Sequence, residues 1–339
     1  MKPNMSRILV ETTVKTALKK IKTDPERGVR NLIDMALQCT NGRFQQKIFS
    51  TVQRMLQNEH SAYYHLIRNV VANTDTDHLF TFGMNLGYNA CTIGAQKIRT
   101  NEQKMQCNIP WALVLQIDPK HFPDLQQTFH TIINDGETLG IYAWVLLIDG
   151  DPQPARTLAA HHPDSAFFLI CEPETLHDDV LDKLADQLNL MLVMRYNEQA
   201  QRLCPHIQHR GLLYGVWYPY TETDLPAIAS GTLFHHAQAL QPLFTVLIPA
   251  PNCPATIQQQ VHQIILDTRN QQTFCTLPLE MRGDTRMVDA IISKDTCSIY
   301  VDQKGDLYNL DAQTIHTPYN LFRQPLAHIL ARACAKQPI

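Results

Sequence analysis

The chain has 339 residues, 44% of them hydrophobic and 18% charged, with 29 Lys plus Arg against 32 Asp plus Glu and a formal net charge of −3. This composition excludes a disordered chain, and at this length roughly three quarters of the unfolded surface can be buried without disulfide or metal staples. The near balance of charge excludes a generic binder of nucleic-acid backbone, and no apolar run is long enough for a membrane-spanning helix.

The segment Met1 to Val10 turns polar at Glu11 without the apolar core or cleavage site of a signal peptide, so the expected address is the cytoplasm. Residues 1–105 read as a helical region. Val10, Val14, Leu18 and Ile21 recur at helical spacing, Asp24-Pro25-Glu26 reads as a cap followed by proline at the first helical position, and Asn41-Gly42 reads as a stop. Further helical faces run through Phe49, Val52 and Leu56, then through Tyr64, Ile67 and Val71. Another starts from a cap at Thr76-Asp77 and passes through Leu79, Phe80 and Met84.

The texture changes after residue 105. Apolar runs begin at 111, 141, 166, 190, 212 and 243, each followed by a polar-amphipathic stretch of helical length such as 178–188, 225–240 and 255–269. Spacings of 22 to 31 residues are those of βα units, which demand a parallel sheet with crossover helices. Residues 106–285 are therefore expected to form an α/β domain of six such units. In the remaining segment, 286–339, Met287–Ser293 and Cys297–Asp302 read as two strands, Lys304-Gly305-Asp306 as a turn, and Asn320–Ala335 as a closing helix.

Nine cysteines are scattered along the chain, an odd number whose closest pair, Cys91 and Cys107, is 16 residues apart. No CxxC occurs, so neither a disulfide framework nor a locally ligated zinc or iron–sulfur site is supported, and most of these thiols read as small buried hydrophobes. Phosphate-loop, dinucleotide, serine-hydrolase and zincin signatures are missing as well. Among the 15 histidines, His206 and His209 read as surface residues. The adjacent pairs His161-His162 and His235-His236 read as helix-end or surface features.

Five stretches carry a resemblance. Asn108-Ile109-Pro110-Trp111-Ala112 leading to Asp118-Pro119 looks like the first barrel strand of the radical S-adenosylmethionine enzymes. Asn134 through Tyr142 resembles their first helix end and second strand. Asp149-Gly150-Asp151-Pro152 stands where the family has Gly-Gly-Glu-Pro, and Glu172-Pro173-Glu174-Thr175-Leu176 where its third strand ends. Val301 through Leu307 resembles an Asn-x-Asn-Gly-Asp-Val stretch that a cysteine often follows, with Leu310 near that position here. The resemblance implies a partial (βα)6 TIM-like barrel behind a helical region. It departs from the family at one decisive point: Asp118-Pro119 runs straight into Lys120-His121-Phe122, where the family keeps its Cys-rich loop. Reductive cleavage of S-adenosylmethionine needs three thiolates from one short loop, so a [4Fe–4S] cluster is not expected.

Two readings follow. The first is a non-catalytic pseudoenzyme, a binding or regulatory subunit whose partner is another protein, an active relative of the same family or of its pathway. The second is a repurposed barrel that binds a metal or small molecule, S-adenosylmethionine or a nucleotide included, with acid–base chemistry by strand-end carboxylates. Sites in barrels form at the strand ends, which gives Asp118, Asp149, Gly150, Asp151, Pro152, Glu172, Arg195, Glu198, Trp217 and Tyr218 as candidate ligand-binding residues. No catalytic residue, cofactor or metal ligand is assigned.

Overall fold

A computed structural model of the chain describes residues 5–39, 43–295, 297–309 and 315–336. The expected helix stop at Asn41-Gly42 and the position of Leu310 lie outside them. The chain opens with α1 (Met5–Thr23), α2 (Pro25–Cys39), α3 (Arg43–Met55), α4 (Tyr63–Asn73), α5 (Thr76–Gly83) and α6 (Ala95–Met105). Asp24 accepts the Arg27 amide at 3.1 Å, as expected for a cap. The cap of α5 is Asp75, one residue before the expected position, and it accepts the amides of Asp77 and His78. A π-helical segment, Met84–Gly94, fuses α5 and α6 into one continuous helix.

Seven parallel strands follow: β1 (Ala112–Ile117), β2 (Ala143–Ile148), β3 (Ala166–Cys171), β4 (Leu190–Arg195), β5 (Tyr214–Tyr220), β6 (Phe244–Pro249) and β7 (Leu277–Glu280). Between them run α7 (Phe122–Leu139), α8 (Gln153–His161), α9 (Asp178–Ala185), α10 (Glu198–His209), α11 (Leu225–Ala229), α12 (Thr232–Ala237) and α13 (Ala255–Gln271). Then come α14 (Met281–Ser293), β8 (Ile299–Val301), β9 (Asp306–Asn309), β10 (Ile315–Asn320) and α15 (Leu326–Ala333). All the strands belong to one sheet, in the order β10-β9-β8-β1-β2-β3-β4-β5-β6-β7. The sheet does not close: β1 pairs with β8 rather than with β7, so the barrel is partial.

Side chains alternate across the strands and sort into two layers. Leu113, Leu115, Trp144, Leu146, Phe167, Leu169, Leu192 and Met194 pack under the crossover helices α7 to α10. Val145, Leu147, Phe168, Ile170, Val193, Trp217, Val246 and Ile248 face the other way, toward Leu79, Phe82 and Leu86 of the N-terminal helices. Phe82 meets Phe168 edge to face, with ring centroids 5.3 Å apart. The Asn85 side-chain amide donates to the carbonyls of Pro163 and Ser165, and that of Asn89 to Asp164. The helical region thus forms a floor under the sheet at the amino ends of β3 and β4.

Several expectations change. The six expected strands are present, and β7 is a seventh. Its Pro278 is tolerated because β7 is an edge strand, where a missing amide costs no ladder bond. Residues 287–293 are helix, not strand. Glu280 caps α14, which Lys294 ends in the left-handed conformation, and a short apolar run cannot distinguish the two states. The expected boundary at 285/286 therefore falls inside α14. The stretch 225–240 is broken at Gly231, whose φ is +75°. Residues 315–320 form β10, and the closing helix begins only after Pro325.

Candidate functional site

The carboxyl ends of β1 to β5 bring most of the candidate residues to one rim. Asp118 follows β1 directly, and its connection to α7 is only four residues, Asp118–His121, with no cysteine among them. The Asp118 carboxylate accepts the Lys120 amide at 2.9 Å and lies 2.7 Å from His121 Nδ1. Those bonds hold its pKa below the ordinary carboxylate value. Asp149 ends β2. Gly150 has φ +116°, a conformation that L side chains rarely adopt, which explains a glycine at that turn. Asp151 accepts the Gln153 amide at 2.9 Å and so starts α8, with Pro152 at the cap position.

Glu172 and Arg195 form the centre of the rim, 3.7 Å apart at the ends of β3 and β4. Burial pushes the Glu172 carboxyl above its ordinary range. Arg195 opposes the rise, and Glu174 and Asp149 add to it. The Arg195 guanidinium also lies over the Trp217 ring, 5.6 Å from its centroid, and Trp217 Nε1 donates to Cys171 O at 3.3 Å. Behind this rim the exposed parts of Val145, Leu147, Phe168, Trp217, Val246 and Ile248 make an apolar wall. The arrangement suits a ligand with an apolar body and a polar or charged end at Arg195, Glu172 and Asp149.

Two candidates stand apart. Glu198 lies in the first turn of α10, its side chain 89% exposed and paired with Arg202 on the same helix. There it favours the helix dipole rather than the rim. Tyr218 alternates to the opposite side of β5 from Trp217 and packs against Tyr196, ring centroids 5.4 Å apart. Among the described residues, no three His, Cys, Asp or Glu side chains stand close enough to hold a metal ion.

Two buried polar clusters escaped the sequence. His162, expected as a helix-end or surface feature, does cap the end of α8 but is only 5% exposed. Its Nε2 lies 3.0 Å from His130 Nδ1 and its Nδ1 3.5 Å from Glu137, which also accepts from Ser165. Glu280, fully buried, accepts from the Gly283 amide and the Tyr220 hydroxyl, beside an Asp284–Arg269 pair and a cavity of ≈ 310 Å³ between α13 and α14. Neither cluster has a local signature, because its key pairs, His130 with His162 and Tyr220 with Glu280, join elements far apart in the chain. His206, by contrast, is a surface residue as expected and bonds Asp178 at 3.0 Å.

No protein-family model matches the chain, and no curated protein does. Among solved structures, Streptococcus suis SuiB bound to precursor peptide SuiA aligns with a TM-score of 0.51 at 10% identity, covering 71% of this chain and 69% of that one. SuiB bound to S-adenosylmethionine gives 0.50 at 10% identity, over 71% and 68%. At such identity the likeness is one of fold, a partial barrel of the radical S-adenosylmethionine type preceded by helices.

Proposed function

We propose that this protein is a non-catalytic relative of the radical S-adenosylmethionine enzymes that works by binding a peptide or protein, as a regulatory subunit for an active relative. The observation that carries the reading is the connection after β1. A [4Fe–4S] cluster does not fit there: Asp118–His121 offers no thiolate, and its acid and imidazole are bonded to each other.

Support for a peptide or protein partner comes from the rim. A half-exposed apolar wall ending in Arg195, Glu172 and Asp149 presents surface for side chains and charge for a backbone terminus or polar residue. The neighbour SuiB, alike in fold, was solved with a precursor peptide bound. No helix among the described residues is long and apolar enough to cross a membrane.

Native mass spectrometry of the tagged protein, purified gently from its own host, tests this reading. A second polypeptide in the complex is the expected result, and Arg195→Glu should release it. Release of 5′-deoxyadenosine from S-adenosylmethionine after anaerobic reconstitution with iron and sulfide would overturn it. A bare chain carrying a small organic ligand or metal would turn it toward a repurposed pocket.

A further inference from the structure

Cysteines far apart in sequence meet near the amino end of β1, at the opposite end of the strands from the rim. Cys297 precedes β8 and is buried. Cys334 caps the end of α15 and is half-buried. Their sulfurs are 2.7 Å apart, closer than an ordinary non-bonded contact and within reach of a disulfide. Cys107, fully buried, lies in the strand-like segment that bridges to Ala335.

The backbone around the pair is held from several sides. The Asn108 amide donates to Cys334 O at 2.7 Å, and the Lys336 amide to Gln106 O at 3.0 Å. Asp289, 1% exposed, accepts from the Cys297 amide and the Ser298 hydroxyl. These bonds fix the two backbones side by side, so the nearness of Cys297 and Cys334 is a property of the fold, and only a turn of the side chains separates or joins the sulfurs.

We propose that Cys297 and Cys334 are a reversible thiol modification site, which a hydroperoxide oxidises to a disulfide joining the end of α15 to the start of β8. Cys334, the more accessible sulfur, attacks the peroxide O–O bond and becomes a sulfenic acid as one water leaves. Cys297 then attacks the Cys334 sulfur, the S–O bond breaks, and the departing hydroxide takes the Cys297 proton as a second water. Two thiols and one hydrogen peroxide give one disulfide and two waters. The order follows from access: Cys334 is half-buried and can meet a peroxide, whereas Cys297 is buried, and its contact with Cys334 together with burial pushes its thiol far up. The bridge closes residues 297–334 into a loop that contains β8, β9, β10 and α15.

Intact-protein and peptide mass mapping test the site on the full chain. Hydrogen peroxide is added, free thiols are blocked with N-ethylmaleimide, and digestion proceeds without reductant. The expected result is a joined Cys297–Cys334 peptide, a loss of two titratable thiols, and recovery of both with dithiothreitol. Trypsin cleavage after Arg332, an exposed residue of α15, should slow several-fold in the oxidised protein. Cys334→Ser and Cys297→Ala should each abolish the joined peptide, whereas Cys107→Ala should keep it. If Cys297→Ala fails to fold, Cys334→Ser at the half-buried position carries the same arm. A bridge that instead includes Cys107, or a Cys334 sulfenic acid that persists for trapping by dimedone in the folded wild type, would overturn the proposal.

Discussion

Tyr220 and Glu280 show what a buried hydrogen bond does when its acceptor is a carboxylate. Glu280 is the cap of α14 and is fully buried. Burial raises its pKa, and the Gly283 amide and Tyr220 hydroxyl pull against that rise. Because the folded value lies above the unfolded one, the folded chain binds this proton more tightly. The stability contributed by Glu280 is present below about 4.5 and is lost as pH rises through the folded pKa. Tyr220→Phe removes a donor to the ionised form. It should therefore destabilise by about 1–3 kcal/mol where the carboxyl is ionised, so the loss grows from pH 4, where the carboxyl is protonated, as pH rises to 7 and beyond. Urea unfolding of the variant and the wild type at both values checks this, and an equal loss at each pH would contradict the assignment. None of this was legible in the residues themselves, since Tyr220 and Glu280 are 60 positions apart. The rim carboxylates were legible only as strand-end residues. Their positions said nothing of Asp118 and Asp151 being occupied by local turn and cap bonds, or of Glu198 pairing along its own helix.

The starts of β1 to β6 could be read to within two residues because each strand interrupts helical periodicity with an apolar run, although the end of β5 lies four residues beyond the expected Val216. The same signal misread α14, where Met287 to Ile292 is equally apolar but follows a cap at Glu280, and it passed over β7, which is four residues long and contains Pro278. The helical region was expected to precede the barrel, with no expectation of what it packs against. The fused helix formed by α5, the π-helical segment and α6 instead supplies the floor of the barrel, with His78 Nε2 2.8 Å from Leu190 O and Phe82 against Phe168. Packing against the inner sheet face is a long-range relation that amphipathicity alone does not specify. Phe82→Ala should accordingly cost about 3–5 kcal/mol, the loss typical of a buried ring truncated without collapse. It should also open the inner face, so that an apolar dye binds the folded variant more strongly than the wild type. A loss under about 1 kcal/mol with unchanged dye binding would mean that α5 is only apposed to the sheet.

At the scale of the molecule the two ends of the domain meet. Strand β8 pairs in parallel with β1, Val114 with Tyr300 and Leu115 with Val301, and β9 and β10 extend the sheet antiparallel beyond it. The segment read as a C-terminal extension therefore covers the edge that would otherwise be β1, one of the most apolar strands in the chain. The strand itself was legible in Cys297–Asp302, but its pairing with a partner some 185 positions away leaves no local signal, so the sequence did not say which edge the extension would join. The Tyr300 hydroxyl reaches Gln116, and the 106–108 segment bonds residues 334–336, so the closure is anchored at both ends of β1. Deleting residues 297–339 should bare the β1 ladder groups and its apolar neighbours, and an uncovered edge of this kind recruits another strand. Light scattering after size exclusion should then show the truncated chain as dimers or larger species, with a lower thermal midpoint than the full chain. A truncated chain that stayed monomeric with an unchanged midpoint would mean that β8 decorates the barrel without closing its edge. Replacing Val114 with Lys in the truncated chain should restore the monomer if edge pairing is the cause, because an inward charge on an exposed edge strand blocks the pairing without repairing the lost packing.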